Sequence, residues 1–138
     1  MKVLLYTHEF PPFLGGLSTT SLKLARGISG PGIETVVLAP GYGREDSEID
    51  RGLGCRVIRV GGLGSKWIKA IPYADILLGL FSLMSALRNE KPDIVLFITE
   101  EAEAAGGLVP HVSFVPVVRV AGSGITTCFY GNRIMKRL

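Results

Sequence analysis

The sequence predicts an α/β domain, a parallel sheet with helices packed on both of its faces. Two observations predict it. Short β-rich runs stay apolar at consecutive positions instead of alternating with polar residues, as strands covered on both sides do. Stretches of helical periodicity separate those runs, and strands that alternate with helices pair in parallel through crossover connections.

Val3 to Tyr6 is the first such run, followed by a Pro/Gly loop from His8 to Gly16. Ser18 and Thr19 are candidate helix caps. Beside them Leu17, Ser21, Leu22, Ala25 and Ile28 recur at helical spacing, with Lys23 and Arg26 on the other side, until Gly30-Pro31-Gly32 stops the helix. Thr35 to Ala39 predicts a second strand, and the polar stretch Gly41 to Asp50 a mobile surface loop. Arg56 to Val60 predicts a third, shorter strand. Gly61 to Tyr73, rich in Gly and carrying Lys66, Trp67 and Lys69, suits an ordered surface loop better than a regular element. Ala74 to Asn89 is apolar around most of a helical circumference, which predicts a largely buried helix broken by Pro92. Asp93 to Ile98 is the fourth expected strand, Glu100 to Val109 a short helix, and Val115 to Val120 the fifth strand, restricted at its start by Pro116. Ile125 to Leu138 reads as a further helix caught partway.

Composition limits the classes of function. The 138 residues fit one domain, and a domain of this size buries roughly 68–70% of the surface of its unfolded chain. The net charge of +3 is small and the basic residues are scattered except near the carboxyl end, which argues against wholesale nucleic-acid binding. Ile76 to Leu87, the longest apolar stretch, contains Ser82 and Ser85 and falls short of the ~20 residues that cross a bilayer. The opening Met1-Lys2 leads at once into a strand and lacks a secretory leader's apolar region, so a cytoplasmic location is expected. Cys55 and Cys128 have no neighbours at metal-ligand spacing; buried structural thiols and no metal site are expected.

Ligands of such sheets bind beyond the carboxyl ends of the strands, where strand order reverses. This points to three loops: His8 to Gly16, Thr99 to Glu101, and Ala121 to Gly124. In EFPPFLGGLS, Gly15 and Gly16 lie between the first strand and the first helix, and without Cβ atoms their amides can approach a ligand oxygen. The helix start behind them favours an anion by about 0.3–1 kcal/mol, up to ~2 when partly buried. Micromolar nucleotide binding requires about 8 kcal/mol, so the loop is half of a site. Neither the dinucleotide fingerprint G-x-G-x-x-G nor a P-loop Gly-Lys-Ser/Thr follows the strand. A plain tight turn is the other reading of the Gly-Gly pair.

The remaining candidates each carry two readings. His8 and Glu9 are either a hydrogen-bonded loop pair or an acceptor contact. Glu100, Glu101 and Glu103 complement a helix dipole whatever the function, and Glu100 is also a substrate-contact candidate. His111 reads as a solvent-facing loop residue. Arg119, inside an apolar strand, needs an acidic residue or the acceptor as partner if buried. The segment GSKWIKAIPY suits contact with an anionic lipid surface, or else Trp67 folds onto the domain and leaves the lysines in solvent.

MKVLLYTHEFPPFLGGLSTTSLKLARGI resembles the opening of the retaining GT-B glycosyltransferases: an apolar strand, an E-x-P-P stretch, a Gly-Gly loop, then a helix. KPDIVLFIT and VPVVRVAGSG resemble that family's fourth and fifth strands, the second with its glycine turn. The likeness covers nearly the whole chain, weakest between Gly41 and Tyr73. It implies a Rossmann-like amino-terminal half of a GT-B fold over residues 1–138, which binds the acceptor, with the carboxyl-terminal donor-binding domain absent. Gly15 and Gly16 would then face the donor phosphates and the transferred sugar. Ser18, Glu9, Glu100, Gly122 and Ser123 complete the substrate-binding candidates, and no catalytic residue is assigned. Ala121 stands where the family often carries a His before its Gly. The donor is a nucleotide sugar held mainly by the missing domain, no cofactor is implied, and transfer by this chain alone is expected to be negligible. The acceptor is a sugar or a lipid-linked sugar, reached in the latter case by peripheral attachment at the inner face of a membrane. An isolated half that exposes its partner-facing surface is expected to self-associate. Two other readings stand beside this one: a stand-alone α/β module that senses an anionic metabolite through the Gly-Gly loop, and a Rossmann oxidoreductase, against which the missing fingerprint counts.

Overall fold

The computed structural model of the chain describes residues 1–109 and 113–119. Along it run β1 (Lys2–Tyr6), α1 (Gly16–Ile28), β2 (Glu34–Gly41), α2 (Asp46–Arg51), β3 (Arg56–Gly61), α3 (Lys66–Lys69), α4 (Ala74–Glu90), β4 (Ile94–Phe97), α5 (Glu100–Gly107) and β5 (Val115–Val118). The strands form one five-stranded sheet in the order β3-β2-β1-β4-β5, and every pairing is parallel. The fold is the Rossmann-like α/β arrangement that the apolar runs predict.

The period-two geometry of strands explains why those runs do not alternate. Leu4 and Tyr6 of β1, Val36 and Leu38 of β2, and Val95 and Phe97 of β4 point to one face, where Leu83 and Ala86 of α4 and Ala102 and Ala105 of α5 meet them. Leu5, Val37 and Ala39 point to the other face, against Ala25 of α1, Phe10 and Leu53. Both faces are core, so neither parity tolerates polar residues. Full burial of each large aliphatic side chain contributes about 1.5–3 kcal/mol, which concentrates stability in the central strand β1, where Leu4, Leu5 and Tyr6 have no exposed surface.

Two glycines set how closely the helices approach the sheet. A Cβ at Gly79 of α4 would strike the Tyr6 hydroxyl, and one at Gly106 of α5 would strike the Phe97 ring. Their absence brings α4 and α5 down onto β1 and β4.

Four expectations are corrected. The polar stretch Gly41 to Asp50 is not an open loop: β2 extends to Gly41 and α2 begins at Asp46. Its organiser is Asp46, whose Oδ2 accepts hydrogen bonds from the amides of Tyr42 (2.7 Å) and Gly43 (3.0 Å). The loop from Gly61 to Tyr73 contains one helical turn, α3, capped by Ser65. In α4 burial recurs at Asp75, Gly79, Leu83, Ala86 and Glu90, while Leu77 and Phe81 are exposed. Periodicity cannot separate these two apolar faces, because only contact with the sheet decides which one is covered. β5 ends at Val118, and Val115, Val117 and Val118 are exposed, so it is not the doubly covered strand its composition suggests. The expectations for His111, Cys128 and the segment Ile125 to Leu138 lie outside the described residues.

Candidate functional site

The direction of strand succession reverses at β1, with β2 and β3 on one side and β4 and β5 on the other. At the carboxyl ends of β1 and β4 lies a crevice of about 150 Å³ lined by Glu9, Leu17, Ile98, Thr99, Glu100, Glu101 and Glu103. At ~30 Å³ per water it holds about five waters, and it is well below the ~300–1,000 Å³ of sites that enclose a whole small ligand. A hollow of about 720 Å³ lies between the end of α4 and the start of β5, among Leu87, Lys91, Asp93 and Phe114. It sits at the amino end of β4, the rim where ligands of such sheets do not bind.

Thr99 joins the two strands that form the crevice. Its hydroxyl accepts from the amide of Ala102 (3.4 Å), capping α5, and from the amide of His8 (3.2 Å) at the end of β1. Glu100, Glu101 and Glu103 crowd the first turn of α5. Burial, then the neighbouring charge of Glu100, raises the Glu103 carboxyl above its ordinary range. Carboxylates that line a small crevice are acceptors for sugar hydroxyls, and they repel phosphate.

The start of α1 is different. Gly15 is its N-cap and no side chain caps it. Ser18, expected as a cap or contact, lies inside the first turn; it is buried, and its hydroxyl has no hydrogen-bond partner. Thr19 and Thr20 donate back to the carbonyls of Gly15 and Gly16 instead of capping. Gly15 is extended (φ −169, ψ 161), a conformation open to any residue. A Cβ there would crowd two side-chain ends, at 3.0 Å from the Phe13 ring and 3.1 Å from Glu9 Oε2, which would have to give way. Nothing lies within 4 Å of the corresponding position at Gly16. Leu14 beside it is 95% exposed. The loop is therefore open, and it carries the helix's unsatisfied amides toward the strand-order reversal.

Two polar clamps hold this rim. Arg59 of β3 donates from Nε and Nη2 to both carboxylate oxygens of Asp50 (3.2 and 2.7 Å), and from Nη1 to the carbonyls of Pro11 and Pro40 (2.9 Å each). Its guanidinium also lies over the Phe10 ring, 5.1 Å from the centroid. One residue thereby fastens the EFPPF loop to β2 and α2. On the opposite face, His8 Nδ1 donates to Asp75 Oδ2 at 3.0 Å, and the Tyr6 hydroxyl and His8 Nε2 share a hydrogen bond of 2.7 Å. Asp75 Oδ1 accepts from the amide of Gly64 at 2.7 Å, so the buried chain Tyr6–His8–Asp75 ties β1 to the start of α4 and to the loop before α3. Burial, and then the charges of Asp75 and Glu101, raise the Tyr6 phenol well above its ordinary value.

Of the sequence candidates, Glu9 and Glu100 meet in the crevice, Gly15 touches Glu9, and Gly16 is open beside them. His8 faces Asp75 at the start of α4, whereas Glu9 lines the crevice. Gly122, Ser123 and Ala121 lie outside the described residues. Arg119, just beyond β5, donates its amide to the Phe97 carbonyl (3.1 Å), and its buried Nη1 has no hydrogen-bond partner. Arg59, Asp75 and Gly79 were not foreseen, and Thr99 was foreseen only as the first residue of a ligand loop. An arginine in the strand-like run RVIRV was the available signal for the first. The others are legible only once the strands are paired. Among the described residues no group of three or more His, Cys, Asp or Glu is arranged to hold a metal ion, and no helix is long and apolar enough to cross a membrane.

No protein-family model matches the chain. It is 30% identical over 95 residues to a GDP-mannose-dependent alpha-mannosyltransferase of Corynebacterium glutamicum, which covers 69% of this chain and 22% of that protein. It is 33% identical over 107 residues to a UDP-N-acetylglucosamine--N-acetylmuramyl-(pentapeptide) pyrophosphoryl-undecaprenol N-acetylglucosamine transferase of Hahella chejuensis, over 75% of this chain and 30% of that protein. A solved UDP-GlcNAc 2-epimerase from Neisseria meningitidis, bound to UDP-GlcNAc, aligns with 77% of this chain and 29% of its own at 20% identity and a TM-score of 0.44. The chain thus spans less than a third of either curated relative.

Proposed function

We propose that this chain, a GT-B glycosyltransferase-like domain by its similarity to two glycosyltransferases, is the acceptor-binding half of a nucleotide-sugar-dependent enzyme of the retaining type. The observation that carries the reading is the half-site at the β1–β4 reversal, an uncapped helix start beside a crevice of about 150 Å³ lined by carboxylates. The amides at Gly15 and Gly16 suit a sugar phosphate that approaches from outside the domain. Glu9 and Glu100 suit sugar hydroxyls. Neither part is large enough to enclose a nucleotide sugar, so in this reading a second domain holds the donor and the 138 residues alone do not transfer sugar. The acceptor is a sugar, and a lipid-linked one accords with the undecaprenol-linked substrate in the name of one relative.

The test is an amide NMR titration of the chain with inorganic pyrophosphate, GDP-mannose and UDP-N-acetylglucosamine. Shifts at Gly15 to Ser18 with millimolar affinity, about 4 kcal/mol, are expected for half of a site. Glu9→Gln should tighten pyrophosphate a few-fold by removing a charge that repels it. Micromolar binding would favour the stand-alone sensor module instead. Unmoved resonances at Gly15 to Ser18, or sugar transfer by the chain alone, would overturn the proposal.

A further inference from the structure

We propose that the paired rings of Phe13 and Tyr42, beside Glu9 on the carboxyl rim, are a subsite for the C–H face of an uncharged pyranose; the proposal rests on the acceptor-half reading and names the chemistry of its acceptor. The two rings lie 6.5 Å apart between centroids and 14° from parallel, within the range of aromatic pairing. Phe13 keeps 47% of its surface exposed and Tyr42 43%. Single apolar residues on a surface are ordinary, but a pair of half-exposed rings at the rim where ligands of such sheets bind calls for a ligand. The chain also fixes both rings in place. The Phe13 amide donates to the Phe10 carbonyl (3.2 Å), and Arg59 holds the carbonyl of Pro11 (2.9 Å). The Tyr42 amide donates to Asp46 Oδ2 (2.7 Å), and the same arginine holds the carbonyl of Pro40 (2.9 Å). Rings held before a ligand arrives lose little freedom when it binds.

The carboxylate beside the rings selects the ligand. A Cβ built on Gly15 would meet both a Phe13 ring carbon and Glu9 Oε2, so ring edge and carboxylate come within about 6 Å of each other around one bare glycine. Glu9 is held as well, because the Thr7 hydroxyl donates to its carbonyl (2.8 Å) and accepts from its amide (3.2 Å). Burial raises the Tyr42 phenol above its ordinary value; a bond from the Phe10 backbone opposes this and the charge of Glu9 adds to it, so that ring too stands near the carboxylate. A pyranose carries hydroxyls around its edge, and a face of axial hydrogens shows only C–H. Such a face lies on an aromatic ring while the edge donates to a carboxylate. A phosphate is repelled by Glu9, and an aliphatic chain leaves Glu9 desolvated without a donor. Ring and carboxylate at this separation therefore fit an uncharged sugar ring.

The test is saturation-transfer and titration NMR of the chain with three probes. Methyl β-D-glucopyranoside has axial C–H on both faces, sorbitol has the hydroxyls without a ring face, and guanosine has a planar base. Saturation strongest on the axial protons of the glucoside is expected, with shifts of the Phe13 and Tyr42 ring signals at millimolar sugar and little response to sorbitol. Phe13→Leu keeps the apolar bulk without the ring and should weaken the glucoside about two- to tenfold, whereas Phe13→Tyr should retain it. Glu9→Ala should weaken the glucoside yet tighten pyrophosphate, opposite changes that a general loosening of the loop does not produce. Equal response to glucoside and sorbitol, an unchanged affinity in Phe13→Leu, or a response to guanosine alone would rule the subsite out. The pyrophosphate titration reads the amides of Gly15 to Ser18 and needs no sugar face. Its failure with glucoside binding intact would remove the acceptor-half reading and leave a sugar site, so the two fail separately.

Discussion

The two rims of the sheet hold their charges in opposite ways. At the amino rim, Lys2 pairs with Glu34 (2.9 Å) and Glu90 (3.4 Å), and Arg56 with Glu90 (2.9 Å), and all but Glu90 keep solvent contact. At the carboxyl rim, Tyr6, His8, Asp75 and Thr99 are buried, and Arg59 sits with Asp46 and Asp50 under little solvent. Exposed pairs contribute little, whereas a buried polar group left without its partner costs several times more. A domain that needed only stability would not concentrate its buried polar groups on one rim. Their concentration where the strand order reverses holds the Gly15–Gly16 loop, α4 and the crevice at fixed positions while the loop itself stays open.

Breaking the carboxyl rim should therefore be expensive. Gly79→Ala places a methyl against the Tyr6 hydroxyl and should destabilise the domain by about 3 kcal/mol in urea unfolding, at the upper end for overpacking. Adding Tyr6→Phe removes the struck oxygen and should restore part of that loss. An unchanged double variant would show that the hydroxyl is not the obstacle.

Arg59→Met strips four hydrogen bonds and leaves the Asp50 and Asp46 carboxylates without their shared cation. A loss of about 2–3 kcal/mol is expected, with amide shifts spreading through Pro11's neighbours to Gly15. If the loop resonances stay fixed, Arg59 does not position the site.

The raised Tyr6 phenol supplies a pH test. The folded chain keeps that proton at pH values where the unfolded chain, with an ordinary pKa of about 10, releases it. The contribution is whole below about pH 10 and is lost above it, at up to about 1.4 kcal/mol per pH unit. Urea midpoints should fall more steeply above pH 10 in the native chain than in Tyr6→Phe, and parallel slopes would contradict the burial of that hydroxyl.

The amino rim should respond least. Arg56→Gln removes a pair whose arginine is 65% exposed, and Lys2 remains beside Glu90, so a change under about 1 kcal/mol is expected. A loss as large as that of Arg59→Met would erase the distinction between the rims.

Much of the fold was legible in particular residues. Val3 to Tyr6 and Thr35 to Ala39 are apolar at both parities because helices cover both faces, and that pattern is local. Glu9 and Glu100 were legible as loop-end carboxylates, and the structure brings them into one crevice. Ser18 was misread as a cap because its residue type fits one, whereas the chain enters the helix three residues earlier, at Gly15. The helix within Gly41 to Asp50 was missed because polar residues carry no periodicity, and what organises them is a side-chain bond from Asp46 to backbone amides.

The amino-acid order by itself determined the succession of strands and helices, the parallel sheet and the loop that opens at its reversal, because each depends on neighbours within a few residues. Only the tertiary structure decided which side of α4 is covered, that His8 meets Asp75 across 67 residues, and that Arg59 reaches back 48 residues to Pro11. Those contacts follow from the register of β1 against β2 and of β2 against β3, and from how close Gly79 lets α4 approach, which no local pattern of residues encodes.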